Sequence, residues 1–169
     1  MLSRELRYGF IAGFITLLWM ACGYVLRWQE QEIGRYAPFL SLIILIAATY
    51  ITILHKRDKD GGGGITFKDA FIAGISVSFV VGLLVGIFLM IYTQYVNPNY
   101  VNEVVKQTEE YLKTQKATQE QIDKAIEGTR ATYSAFGQLT YGIGTTMLTG
   151  VLITLVCAAV MRREKKAEV

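Results

Sequence analysis

The sequence predicts an all-α membrane protein, a bundle of four transmembrane helices with an extracytoplasmic helical hairpin between helices three and four. Of its 169 residues, 52% are hydrophobic and only 18% are charged, whereas soluble domains carry about 25% charged residues. Four apolar stretches reach the roughly 20 residues that a helix needs to cross a bilayer. We expect one integral membrane domain over residues 1–169, with spans at about 8–26, 36–54, 67–95 and 135–161.

The first predicted span follows a short basic leader and carries Gly9 and Gly13 in the GxxxG spacing. This spacing is typical of helix faces that pack closely in lipid. Trp28, in the polar turn after the span, is predicted to anchor that turn at the membrane interface. The second span is rich in Ile and Leu, with Pro38 near its start, where proline is tolerated.

Spans three and four carry small residues at every fourth position, and this spacing aligns them on one face of each helix. We call these faces the small-residue ladders: Ala70, Gly74, Ser78, Gly82 and Gly86, and Gly142, Thr146, Gly150, Thr154 and Ala158. We expect the two ladders to pack together, because small residues let helix backbones approach closely in lipid. The residues predicted to pack helices are Gly9, Gly13, Gly74, Ser78, Gly82, Gly86, Gly142, Thr146 and Gly150.

A polar insert over about 99–134 separates these two spans, beginning after an Asn-Pro helix break. Its apolar residues recur at helical spacing and predict two amphipathic helices, about 99–115 and 119–134. Five basic and six acidic residues nearly cancel, which favours a solvated hairpin over a basic membrane-surface anchor. These apolar residues form a stripe along each helix. Either the two helices cover each other's stripes and rest on the bundle, or a partner protein covers them. The candidate partner surface is Val101, Val105, Tyr111, Ile122 and Ile126.

Basic residues near the span ends predict the orientation of the chain. Four spans place both termini and the HKRDKDGGGG loop on one side, which carries most of these basic residues. We therefore expect both termini in the cytoplasm and the hairpin outside.

The glycine run Gly61–Gly64 has three interpretations. A nucleotide-binding loop is disfavoured, because the run lacks the Gly-Lys-Ser/Thr ending that cradles phosphates. A flexible linker before the third helix is the simplest interpretation. The third is contact with lipid headgroups, because basic residues flank the positive amino end of the third helix. The candidate lipid-headgroup residues are Lys56, Arg57, Lys59 and Lys68.

The predicted spans contain no ionisable Asp, Glu, Lys, Arg or His, which argues against a proton-coupled carrier but not against a passive one. Gln94 and Gln138, near the outer span ends, either bond each other or are solvated. The single histidine and two cysteines form no metal-binding pattern, and a net charge of +3 is too small to indicate nucleic acid. We expect no enzymatic activity, no cofactor and no nucleic-acid partner.

A combination of motifs resembles the bacterial membrane family catalogued as domain of unknown function 4199. The motifs are Tyr8-Gly9, then Gly63-Gly64-Ile65-Thr66-Phe67 with Ala70-Phe71 and Gly74, and an Asn-Pro with a polar helical insert before the last span. The resemblance implies four spans in a bacterial inner membrane and implies no activity. We expect a non-enzymatic protein that acts through membrane lipid, a protein partner or self-association. The alternative is an accessory, small carrier or flippase in a lipid-linked pathway of polyprenyl type.

Overall fold

The computed structural model describes residues 3–26 and 36–163, and this part of the chain is almost entirely helical. Its α-helices are α1 (Arg4–Val25), α2 (Ala37–His55), α3 (Phe67–Ile91), α4 (Tyr100–Thr114), α5 (Gln119–Thr132) and α6 (Ala135–Met161). The predicted all-α class is confirmed. Four helical segments are long and apolar enough to cross a membrane: Arg4–Val25, Pro38–Asp60, Phe67–Val96 and Ala135–Met161.

Two helices extend further than their apolar stretches predict. α1 begins at Arg4, where the Ser3 hydroxyl accepts a hydrogen bond from the Leu6 amide at 3.4 Å. α2 continues through a π-helical turn over Lys56–Asp60, so the charged loop predicted there is wrong. Backbone hydrogen bonding does not stop where apolar side chains end, so polar residues outside the spans stay helical. Trp28 lies outside the described residues.

The chain divides into two compact units, one formed by residues 1–85 and 143–169 and the other by residues 86–142. In the first unit, side chains of α1, α2, α3 and α6 form two apolar clusters. One contains Ile53, Ile65, Ala70, Ala73, Ala158 and Met161. The other contains Ala12, Leu45, Val77 and Val81, with Ala48 and Ile153 packed against it.

Within the first unit, the ladder residues of α3 and α6 lie against each other. A Cβ atom built on Gly74 would lie 2.5 Å from the Thr154 Oγ1, and one built on Gly150 would collide with the Ser78 hydroxyl. A Cβ on Gly82 would lie 3.1 Å from the Thr146 Cβ. From Gly74 to Ser78 to Gly82, the position on α3 moves forward by four residues at each step. The residue that it contacts on α6 moves backward by four, from Thr154 to Gly150 to Thr146. The two helices run antiparallel, and their close approach leaves no space for a side chain at Gly74 or Gly150.

The glycines of α1 also pack on α3. A Cβ on Gly9 would lie 2.8 Å from the Val80 Cβ, and one on Gly13 would collide with the Leu84 side chain. Both glycines are buried. α3 therefore packs against glycine-containing faces of both α1 and α6.

The second unit contains the helical hairpin of α4 and α5, which pack against each other. Thr118 caps α5 in a full capping box, with the Gln121 amide donating to its hydroxyl and the Gln121 carboxamide accepting from its backbone. Lys116, in the turn between the helices, has a positive φ of 57°. In the same unit, a Cβ on Gly86 would lie 2.6 Å from the Leu139 carbonyl oxygen.

Candidate functional site

The ends of α1, α2, α3 and α6 in the first unit form a charged surface that we call the basic end. Its described residues are eight cations, Arg4, Arg7, Lys56, Arg57, Lys59, Lys68, Arg162 and Arg163, and four acids, Glu5, Asp58, Asp60 and Asp69. All four candidate lipid-headgroup residues belong to this surface. An excess of cations at one end of a membrane protein attracts anionic lipid headgroups.

Ion pairs neutralise part of the basic end. Lys56 Nζ lies 2.7 Å from Glu5 Oε1, and Arg4 Nη1 lies 2.6 Å from Asp60 Oδ1. These two pairs join the first turn of α1 to the extension of α2. Arg57 pairs with the neighbouring Asp58 at 2.7 Å. Two of the four candidate headgroup residues, Lys56 and Arg57, are therefore already engaged within the protein.

The other two candidates remain available. Lys59 and Lys68 are exposed, and neither forms an ion pair with any residue in the described ranges. Lys68 lies in the first turn of α3, where the helix dipole adds partial positive charge. Arg7 on α1, and Arg162 and Arg163 at the carboxyl end of α6, are likewise exposed and form no ion pair with a described residue.

The glycine run is a hydrogen-bonded turn, so its interpretation as a flexible linker is wrong. The Gly63 amide donates to the Arg57 carbonyl at 3.0 Å, and the Gly64 amide donates to the Gly61 carbonyl at 3.1 Å. Gly62 and Gly63 have φ values of 58° and 91°, a region that side chains disfavour. The turn therefore needs glycine for its shape, and it closes the carboxyl end of α2.

A short backbone bridge follows this turn. The Ile65 amide donates to the Arg163 carbonyl at 2.9 Å, and the Arg163 amide donates to the Ile65 carbonyl at 3.1 Å. Ile65 is buried, and Thr66 then caps α3, its hydroxyl accepting from the Asp69 amide at 3.1 Å. The bridge holds the carboxyl end of α6 beside the start of α3, which sets the positions of the basic residues there.

His55 occupies a half-buried position at the basic end that sequence reasoning did not single out. Its ring packs on Tyr8, with centroids 5.4 Å apart, and its buried Nδ1 atom has no hydrogen-bond partner among residues 3–26 and 36–163. A lone histidine at the end of an apolar run was the only available signal. In the described ranges, no three His, Cys, Asp or Glu residues come together as a metal-binding group.

In the second unit, most of the candidate partner surface faces inward. Val105 and Ile122 are buried, and Val101 and Ile126 are half-buried. Tyr111 is 64% exposed. The exposed faces carry ion pairs four residues apart, Lys113 with Glu109 at 2.6 Å and Lys124 with Glu120 at 2.8 Å. Only Tyr111 thus offers a large exposed part of the predicted apolar stripe.

Gln94 and Gln138 bind backbone carbonyls at the end of α5. Gln138 Nε2 donates to the Thr132 carbonyl at 3.0 Å, and Gln94 Nε2 donates to the Tyr133 carbonyl at 3.4 Å. Gln138 is only 3% exposed, so the prediction that it is solvated is wrong. Both amides satisfy carbonyls that a helix end leaves without partners.

A tyrosine cluster connects three segments of the second unit. The rings of Tyr92 and Tyr100 lie 5.9 Å apart, and those of Tyr100 and Tyr133 lie 5.7 Å apart, both edge to face. Burial of the phenol and the neighbouring Tyr133 raise the pKa of Tyr100 to about 12. The cluster fixes the start of α4 to the end of α5.

Comparison with known proteins agrees with the motif-based resemblance. The model of the family described as protein of unknown function DUF4199 matches residues 7–163, nearly the whole chain. Among curated proteins and solved structures, none matches this chain. The match spans all four apolar helices, the glycine turn and the hairpin, and the chain therefore belongs to the DUF4199 family.

Proposed function

We propose that this chain is a non-enzymatic membrane protein that binds anionic lipid headgroups at its basic end. The observation that carries the proposal is the separation of paired from unpaired cations at that end. Lys56 and Arg57 have acidic partners within the chain, whereas Lys59 and Lys68 are exposed and form no ion pair with a described residue. Each lysine near an anionic membrane surface contributes about 1 kcal/mol of attraction.

The same charge distribution supports an orientation. Basic residues flank the inner ends of membrane helices more often than the outer ends. The hairpin, by contrast, has nearly balanced charge, and three of its lysines lie four residues from an acidic partner. We propose that the basic end faces the cytoplasm of a bacterial inner membrane, with both termini there and the hairpin outside.

The test uses the full chain reconstituted into nanodiscs that contain equal amounts of phosphatidylglycerol and phosphatidylcholine. Lipids that remain bound after mild detergent extraction are then quantified by mass spectrometry. The native chain should enrich phosphatidylglycerol, and the double variant Lys59→Ala/Lys68→Ala should lose most of that enrichment, because about 2 kcal/mol of attraction is removed.

The matched control is Lys106→Ala/Lys124→Ala, which removes the same charge from the hairpin. This variant should retain the enrichment. Equal enrichment in all three proteins would contradict the proposal, and so would an equal loss in the two double variants.

A further inference from the structure

Unpaired cations of the basic end gather where α6 ends beside the start of α3. The backbones of Ile65 and Arg163 exchange two hydrogen bonds, at 2.9 and 3.1 Å. Residues paired in this way have Cα atoms about 5.5 Å apart. The bridge therefore fixes the main chain of Arg163 beside the segment that enters α3, where Lys68 lies in the first turn.

Burial of Ile65 and the end of α6 keep these main-chain positions fixed. Ile65 belongs to the apolar cluster that contains Ala70 on α3 and Met161 on α6. The Arg162 amide donates to the Ala158 carbonyl at 3.2 Å, in continuation of α6. The protein thus holds the backbones of two consecutive arginines, while their side chains are exposed.

The acidic residues of the basic end leave these cations without a counter-charge. Three of the four acids lie within 2.7 Å of another cation, and these are Glu5, Asp58 and Asp60. The fourth, Asp69, accepts a hydrogen bond from the Thr66 hydroxyl at 2.8 Å and forms no ion pair with a described residue. The unpaired cations are Arg7, Lys59, Lys68, Arg162 and Arg163. They outnumber the one unpaired carboxylate, so this surface can accept more than one negative charge.

Exposed apolar side chains lie on the same two helices as these cations. On α3, Phe67 is exposed and stacks on Phe71, with ring centroids 6.1 Å apart. Phe71 also packs against the cluster that contains Ile65. On α6, Val160 is exposed two residues before Arg162. The ends of α3 and α6 therefore offer cations for a phosphate and apolar surface for an acyl chain.

We propose that the lipid bound at the basic end is a phosphomonoester lipid, whose terminal phosphate is held by Lys68, Arg162 and Arg163. This inference rests on the proposed function and names the headgroup that the same surface selects. A phosphomonoester carries roughly two negative charges at pH 7, whereas a phosphodiester headgroup carries a single one. Each guanidinium adds a planar fork of donors that matches two oxygens of a terminal phosphate.

A soluble phosphate ester would offer the same phosphate, but the surroundings of the cations favour a lipid. Phe67 and Val160 belong to helical segments long and apolar enough to cross a membrane. Acyl chains contact such segments, and a lipid therefore brings its phosphate to the level where the segments end. Lys68 and Arg162 lie at that level, so a lipid gains both the charge contacts and the apolar contacts.

The test uses the full chain in nanodiscs made of equal parts of dioleoyl phosphatidic acid, phosphatidylglycerol and phosphatidylcholine. Lipids retained after mild detergent extraction are quantified by mass spectrometry. The ratio of phosphatidic acid to phosphatidylglycerol measures selection of the phosphomonoester. The native chain should raise this ratio about 5-fold over the bulk bilayer, because the second charge adds attraction equivalent to that of one further cation.

Arg162→Gln/Arg163→Gln should return this ratio close to that of the bulk bilayer, and the bridge should persist because it uses backbone atoms. Lys68→Gln should lower the ratio as well, and it keeps the inference testable if the double variant folds poorly. The matched control is Lys116→Gln/Arg130→Gln, which removes two exposed cations from the hairpin. The control should keep the native ratio, and an equal loss in the two double variants would overturn the inference.

The ratio of phosphatidylglycerol to phosphatidylcholine separates this inference from the proposed function. A native chain that enriches phosphatidylglycerol over phosphatidylcholine, but does not prefer phosphatidic acid, would overturn the phosphomonoester alone. A native chain that enriches neither anionic lipid over phosphatidylcholine would overturn both. Displacement of bound phosphatidic acid by a large excess of glycerol 3-phosphate would overturn the lipid as the ligand, by showing that the soluble ester suffices.

Discussion

The α3–α6 pair and the α4–α5 hairpin are both antiparallel helix pairs, but they are held together by opposite means. In the α3–α6 pair, glycines bring backbones together, and Gly82 lies against Ile143 and Thr146 with no side chain of its own. In the hairpin, Val105 and Ile122 are buried while charged side chains cover the outside.

The difference follows from the solvent that each pair requires. In lipid, burying apolar side chains yields little, so close backbone contact and dispersion must stabilise a helix pair. In water, burial of apolar area stabilises the pair, and ionised side chains keep the outer faces soluble. The α3–α6 pair should therefore be sensitive to added volume, and the hairpin to lost volume.

The largest expected effect is overpacking of the small-residue ladder. Gly150→Leu places a side chain where even a Cβ collides with the Ser78 hydroxyl, and it should destabilise the chain by about 3 kcal/mol. Gly144→Leu is the matched control, because a Cβ on Gly144 meets no atom within 4 Å. Unfolding in denaturing detergent should separate the two variants. Equal stability of both variants would contradict the ladder contact.

The next effect is a loss of hairpin stability at alkaline pH. The pKa of Tyr100 rises from 10.0 to about 12 because the folded chain buries the phenol. Its stabilising contribution is therefore complete below pH 10 and is lost as the pH rises towards 12. The loss should be about 1–2 kcal/mol once the partial exposure of the ring is allowed for.

Denaturant unfolding followed by circular dichroism at a series of pH values between about 9 and 12 measures this loss, and Tyr100→Phe should remove much of its pH dependence. A native chain and a Tyr100→Phe variant with the same alkaline profile would show that another group controls it.

A smaller effect is expected from the hairpin core. Ile122→Val removes one buried methylene group and should reduce hairpin stability by about 1 kcal/mol. Ile126→Val removes the same group from a half-buried position and should reduce it less. Hydrogen exchange of α4 and α5 measures both changes, and the reverse order would indicate that Ile126 is the more deeply packed residue.

The smallest expected effect is a gain in stability. Lys116 adopts a positive φ of 57° in the turn between α4 and α5, a conformation that glycine adopts more readily. Lys116→Gly should therefore stabilise the hairpin by about 0.5 kcal/mol. Lys113→Gly, inside α4, is the control and should destabilise it. Thermal unfolding followed by circular dichroism distinguishes the two, and a loss of stability in Lys116→Gly would mean that the lysine side chain contributes elsewhere.

Much of the fold was predictable because helical periodicity is local. Four-residue spacing of small residues identified the faces of α3 and α6, and the two amphipathic stretches became α4 and α5. The docking of Gly9 and Gly13 against Val80 and Leu84 was not predictable. A small-residue face indicates that a helix packs closely, but it does not specify the partner helix.

The candidate site was predictable only as a set of basic residues. The sequence could not separate Lys56 from Lys59, because the partner of Lys56 is Glu5, 51 residues away in the chain. Nor could it distinguish a flexible glycine linker from the hydrogen-bonded turn, since both use glycine. Long-range pairing and backbone conformation decide these points, and neither is encoded in local spacing.

Disulfide cross-linking tests the antiparallel α3–α6 contact most directly. Cys22 and Cys157 are first replaced by serine, and Gly82→Cys is then combined with either Thr146→Cys or Leu148→Cys. A Cβ on Gly82 lies 3.1 Å from the Thr146 Cβ, which is close to the separation that a disulfide spans, whereas Leu148 is 74% exposed. Oxidation in native membranes should cross-link the Thr146→Cys pair within the chain and leave the Leu148→Cys pair reduced. Efficient cross-linking of the Leu148→Cys pair alone would contradict the register of the two helices.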